Sequence, residues 1–166
     1  MKIESKIERG LGDDYDVIYV DSNNVLENIG NIILEGVHGF CFYKDKMVLV
    51  YSDKKGYWSL PGGGIELGET YTEALIREIH EETNMKVLYQ ELLGYQDIYQ
   101  PNKVVRQTRS FCIVEPYGNF VSDPDEDITK IKLIDTVEFR KYINWGKIGD
   151  HLISRAIKQH ENFSAH

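Results

Sequence analysis

Cysteine and proline are scarce in this chain, and long apolar runs are missing. Only two cysteines and four prolines occur among 166 residues. Cys41 and Cys112 each lie in an apolar, strand-like run, so buried reduced thiols are expected rather than a disulfide or a metal pair. No apolar stretch approaches the ~18 residues that a membrane-spanning helix needs. The opening MKIESKIERG has no apolar core and does not read as a signal peptide. A cytoplasmic protein with no membrane partner is therefore expected. Excess positive charge is missing too: 19 Lys and Arg stand against 27 Asp and Glu, a formal net charge of -8. A nucleic-acid polymer would call for a basic face and is not an expected partner. An acidic protein that binds a phosphorylated small molecule needs metal ions or a local basic patch.

What is present suits a single globular domain over 1–166, with 42% hydrophobic and 28% charged residues. There is no repeat, low-complexity tract or linker. Residues 1–30 form a polar extension with one strand-like patch, YDVIYV (15–20); it could cover a sheet edge or make a homodimer contact. VHGFCFY (37–43) and MVLVYS (47–52), joined by KDK, read as a hairpin. A glycine-rich loop, LPGGG (60–64), leads to a helix in ETYTEALIREIHEETN (69–84). Two long strands are expected at 86–100 and 104–117, with Pro101 and Asn102 turning between them. An acidic loop, GNFVSDPDED (118–127), precedes a strand, ITKIKLI (128–134), and two helices. The second helix carries Leu152, Ile153, Ala156 and Ile157 at helical spacing. Interleaved strands and helices, with several adjacent strands antiparallel, predict a mixed α/β sandwich rather than a doubly wound parallel sheet.

The central helix carries the chemistry. Thr70 followed by Glu73 is a capping-box pattern that starts the helix at Thr70. Leu75, Ile76 and Ile79 share an arc expected to face the core. Glu78, Glu81 and Glu82 share the neighbouring arc and should repel one another. The only nearby cation on the helix is Arg77. Clustered carboxylates with few cationic partners suit a hard divalent ion, which takes oxygen ligands. With several carboxylates so close, one is expected to have a raised pKa.

Gly63, Glu69, Arg77, Glu78, Ile79, Glu81, Glu82 and Met85 fall at the spacing of the Nudix box: glycine, five residues, glutamate, seven residues, Arg-Glu, aliphatic, any, Glu-Glu, any, glycine, aliphatic. The chain thus resembles the Nudix (MutT-like) hydrolases over about 23 residues, together with the preceding WSLPGG (58–63) and the strand order. It departs at Asn84, where the family has glycine. The family's glycine is explained by a left-handed helix cap, a conformation asparagine tolerates next best.

The resemblance implies a Nudix-type α/β/α sandwich with a mixed sheet. It implies a hydrolase that cleaves the diphosphate of a nucleoside diphosphate derivative. A nucleoside triphosphate is the leading substrate, and ADP-ribose or another nucleotide sugar is the alternative. A non-catalytic domain would usually have lost box carboxylates, and all are kept here. The implied cofactor is Mg²⁺, with Mn²⁺ as an alternative, held by Glu78, Glu81, Glu82 and the Gly62 carbonyl. Arg77 and Glu69 match the pair that orients the carboxylates, and Glu81 or Glu82 is the candidate base. Asp127 is favoured over Asp125 and Glu126 as a carboxylate added from a later loop. Arg106 and Arg109, on opposite faces of one strand, are candidate phosphate ligands. Trp58, like Tyr95 and Tyr99, offers a ring for a base, although packing is the usual role of such residues. His80 is expected at the surface, and His38 has no assigned role. The glycines are not a P-loop, because no Gly-Lys-Ser/Thr follows. DPDED is not an EF-hand start, because Ile128 and Ile134 replace the required glycine and glutamate.

Overall fold

Alternating β-branched, aromatic and aliphatic residues favour extended chain through most of this protein, and the computed structural model, which describes residues 1–9, 13–121 and 127–165, is organised around one sheet. The strands are β1 (Lys2–Arg9), β2 (Asp13–Asp21), β3 (Ile33–Tyr43), β4 (Lys46–Ser52), β5 (Tyr57–Ser59), β6 (Gly62–Gly64), β7 (Met85–Tyr99), β8 (Val104–Pro116) and β9 (Ile128–Ile134). The helices are α1 (Tyr71–Thr83), the short α2 (Phe139–Tyr142) and α3 (Gly146–Ser164).

The main path of the sheet runs β1-β2-β7-β8-β3-β4-β5, with β6 paired to β3 and β9 to β4. The β3–β8 pair is parallel and the other pairings are antiparallel, so the sheet is mixed as expected. β1 and β2 extend the sheet beyond β7. The strand β1 is not evident in the sequence, because charged residues surround Ile3 and Ile7 and its extended form comes from pairing with β2.

Successive side chains of a strand point to opposite faces, and two cores result. On β3, Phe40 and Phe42 join Phe111, Leu152 and Ala156 in a core under α3. Val37 and Cys41 join Leu75, Ile79 and Cys112 in a second core under α1. The sheet is therefore sandwiched between α1 and α3. Cys41 and Cys112 are register partners, buried and unbridged, as expected of reduced thiols. One expectation fails on α1: Ile76 is 46% exposed. The buried arc holds Ala74, Leu75, Ile79, Glu82 and Thr83, so it is displaced toward the carboxylates and away from Ile76.

Candidate functional site

Both ends of α1 are fixed by local chemistry. The Thr70 hydroxyl accepts the Glu73 N–H at 3.1 Å, and the Glu73 carboxylate accepts the Thr70 N–H at 3.4 Å. At the other end Asn84 is left-handed, with φ 54° and ψ 39°, and donates its backbone N–H to the His80 carbonyl. Its side-chain Nδ2 also donates to the Asn119 carbonyl at 2.8 Å. The helix thus starts and ends where the sequence predicts.

Arg77 organises the stripe. Its Nε and Nη2 donate to the two oxygens of Glu69 at 2.7 and 2.9 Å, a bidentate pair. Nη1 donates to Glu78 at 3.0 Å and Glu81 at 3.3 Å, and Nη2 also reaches the Gly64 carbonyl at 2.9 Å. The Arg77 hydrogen bonds, helped by the Glu66 N–H, hold the Glu69 carboxyl below its ordinary pKa. In return the bond to Glu69, together with Glu78, raises Arg77 above its ordinary value.

The glycine loop packs directly against the stripe. β6 pairs Gly62 and Gly63 with His38 and Val37 of β3, and the Gly62 N–H donates to Glu82 at 2.8 Å. A Cβ at Gly62 would lie 2.1 Å from the Val37 carbonyl oxygen, and one at Gly63 would lie 2.6 Å from the Glu78 carboxylate. At Gly62, where the neighbour is backbone, only glycine permits this approach; at Gly63 a side chain would displace the Glu78 carboxylate. Glu78, Glu82 and Gly62–Gly64 line a cleft of about 560 Å³, together with Asp127, Lys54 and Lys55. Ser52 Oγ donates to Asp127 at 2.5 Å. Asp125 and Glu126 lie outside the described residues. Glu81 shares the helix arc but is not among the residues lining this cleft.

Carboxylate oxygens of Glu78 and Glu82 beside the closely packed Gly62–Gly63 backbone are donors suited to a hard divalent cation. Among the described residues, no three His, Cys, Asp or Glu side chains already converge as an ion would require. Arg77 draws Glu78 and Glu81 to itself, and the Gly62 N–H holds Glu82.

A second cavity, of about 600 Å³, adjoins this cleft through His38 and Gln107. It lies on the α3 side of the sheet, and Gln96, Arg109 and Trp145 help line it. Arg109 is 3% exposed and donates to the Thr108 carbonyl, Gln107 Oε1 and His38 Nδ1. Burial, reinforced by the charges of Arg109 and Lys55, pushes His38 well below its ordinary pKa. His38 is therefore neutral, and Nδ1 accepts from Arg109.

The expected opposition of the two arginines holds, and it separates their surroundings. Arg106 is 1% exposed and forms a bidentate pair with Asp97, its register partner on β7, at 2.8 and 3.1 Å. Its Nη1 donates to the Val25 and Glu27 carbonyls, and its plane lies 3.6 Å from the Tyr95 ring centre. Here Arg106 differs from the sequence expectation of a phosphate ligand: it fastens residues 25–27 to the sheet. Trp58 packs on Tyr51 and Tyr142 and lines neither cavity, while Tyr95 lies beneath Arg106. Tyr99, at the end of β7, is exposed, as is His80. Sequence reasoning missed Gln96, Gln107 and Trp145. Gln107 stands two residues before Arg109 and so shares its strand face, a usable signal. Gln96 joins them only through the β7–β8 register.

Residues 33–156 match the NUDIX domain family. An RNA pyrophosphohydrolase of Xanthomonas axonopodis pv. citri is 30% identical over 127 residues, covering 72% of this chain and 58% of that protein. An ADP-ribose pyrophosphatase of Methanocaldococcus jannaschii is 46% identical over 55 residues, 31% of this chain and 32% of that protein. The chain thus spans well under two thirds of the length of these curated relatives. Among solved structures, the pyrophosphohydrolase BsRppH of Bacillus subtilis superposes with a TM-score of 0.62 at 19% identity, covering 79% of this chain and 77% of that one. That likeness supports the fold. With the box residues gathered on and around α1 and the family match spanning 33–156, this chain belongs to the Nudix hydrolase family.

Proposed function

We propose that the protein is a Mg²⁺-dependent hydrolase that cleaves the diphosphate linkage of a nucleoside diphosphate derivative, with a nucleoside triphosphate as the leading substrate. Nudix hydrolases generally use divalent cations. One observation carries the reading: a carboxylate-lined cleft with two lysines adjoins, at His38 and Gln107, a cavity with an aromatic ring, an arrangement that suits one elongated ligand with a polyphosphate and a base. Glu78, Glu81, Glu82 and the Gly62 carbonyl are the proposed ligands of the ion, and Mn²⁺ would suit the same oxygens. A bound cation would neutralise phosphate oxygens and make the phosphorus more electrophilic.

This chain's residues supply the rest. Glu69 fixes Arg77, and Arg77 sets the rotamers of Glu78 and Glu81. Lys54 and Lys55 add positive charge where the polyphosphate would enter. Glu82, or Glu81, accepts a proton from the attacking water. The water oxygen bonds to phosphorus as a bridging P–O bond breaks, releasing a nucleoside monophosphate and pyrophosphate. Asp127 is proposed as a further acidic group of the cleft.

Cleavage of ADP-ribose or another nucleotide sugar is the second reading, favoured by the similarity to the ADP-ribose pyrophosphatase. A Mg²⁺-dependent turnover screen across nucleoside triphosphates, dinucleoside polyphosphates and nucleotide sugars separates the two. Glu82→Gln is expected to lower turnover by about 100-fold or more. The amide oxygen can still accept the Gly62 N–H, so the fold should persist. Turnover like that of the wild type in this variant would overturn the role of Glu82.

A further inference from the structure

The cavity beside the carboxylate cleft holds a buried charge that hydrolysis does not use. Arg109 bonds only to neutral acceptors among the described residues: a backbone carbonyl, an amide oxygen and a histidine nitrogen. Among the described residues, its Nε has no hydrogen-bond partner. Burial lowers its pKa to about 10, which leaves it charged at neutral pH. Its guanidinium also lies 5.1 Å from the centre of the Trp145 ring, a partial compensation. Without a carboxylate, a guanidinium kept from water gains further from a ligand that supplies acceptors.

The surroundings indicate which acceptors fit. Val17, Ile98, Ile148 and the Trp145 ring provide apolar walls suited to a flat ring, with Ser5, Lys6 and Asn144 also in the lining. Gln96 and Gln107 face each other in register, and Gln96 Nε2 donates to Gln107 Oε1 at 3.4 Å. With Gln107 Oε1 occupied by that bond and by Arg109, Gln107 Nε2 remains as a donor and Gln96 Oε1 as an acceptor among the residues lining the cavity.

We propose that this cavity binds the base of the substrate and selects a lactam edge, the adjacent carbonyl and ring N–H of hypoxanthine, guanine or uracil, over the amino edge of adenine or cytosine. The proposal rests on the nucleotide reading above. Arg109 and Gln107 donate to the carbonyl oxygen, and Gln96 accepts the ring N–H. An amino base sets its own N–H donors against the guanidinium and leaves both sides unpaired. Sites built on paired polar groups discriminate strongly for this reason.

Inosine triphosphate and ATP differ only along this edge and are the test pair. The wild type is expected to show a kcat/KM for inosine triphosphate about ten-fold or more above that for ATP. The ratio should fall toward one in Arg109→Met and fall in the same direction in the half-buried Gln107→Leu, which is less demanding on folding. Calorimetric binding of inosine and adenosine monophosphates to the same proteins reads the preference without turnover. Triphosphate turnover with equal kcat/KM overturns the pocket and leaves the hydrolase reading standing. No turnover of any nucleotide, with inosine monophosphate still preferred through Arg109, overturns the hydrolase reading and leaves the pocket standing. A preference that persists in both variants, or no binding of either monophosphate to the wild type, overturns the pocket.

Discussion

Asn84 permits a quantitative test of why this chain departs from the Nudix box. It holds the left-handed cap of α1, and its amide donates to the Asn119 carbonyl. Alanine at this position loses both advantages. A side chain that does not favour this conformation costs about 1–2 kcal/mol there. The lost hydrogen bond, partly exposed to water, adds about 0.5 kcal/mol. Asn84→Ala should therefore destabilise the protein by about 2 kcal/mol, lowering Tm by about 4–8 °C for a chain of this size. Asn84→Gly keeps the conformation but loses the bond, and glycine also has more unfolded-state entropy to lose. It should sit within about 2 °C of the wild type despite restoring the family residue. Thermal unfolding followed by circular dichroism at fixed pH reads both. An alanine variant that melts within 1 °C of the wild type, or a glycine variant several degrees more stable, would refute the account of the cap.

Other outcomes follow from the same structure. Millimolar Mg²⁺ should raise Tm, by an amount equivalent to about 2.7 kcal/mol at one hundred times Kd; the shift should shrink in Glu78→Gln combined with Glu82→Gln, and an equal shift in that variant would argue against these ligands. Arg106→Met leaves Asp97 buried without its partner and should cost about 3–5 kcal/mol in urea unfolding, much of it restored by adding Asp97→Leu. Although burial opposes it, hydrogen bonding from His151, Arg155 and Tyr19 lowers the Asp21 pKa from 3.8 to about 2. The lowered value means that the folded state favours the carboxylate; the added stability is present above about pH 4 and is lost as pH falls toward 2. Asp21→Asn should flatten the fall of the urea midpoint over that window, and an unchanged slope would remove Asp21 from the account.

The site divides by how far apart its parts lie in sequence. Capping box, carboxylate stripe and left-handed cap are local features of one helix, and each occupies its expected place. The Arg77–Glu69 pair, eight residues apart, was expected through the family resemblance, and the structure forms it. Ile76 shows the limit of helical periodicity: the sequence identifies an amphipathic arc, but the neighbouring strands decide its centre, and here it is displaced toward Glu82. β6 is harder still, since three glycines read as loop and become a strand only because β3 offers partners. Arg106 and Arg109 look equivalent in sequence apart from their opposite faces. Their different environments depend on what covers each face: Asp97 and residues 25–27 on one, a cavity beside α3 on the other.

The sequence by itself determined the helix and its metal-suited carboxylates, because capping and side-chain spacing act within a few residues. It also determined the mixed α/β class, because alternation and turns mark the strands. Only the tertiary structure decided that Gly63 abuts Glu78, that Gln96 meets Gln107, and that Trp145 and Arg109 share a cavity. These meetings depend on strand register and helix docking, which join residues tens of positions apart and are set by the packing of the whole sheet.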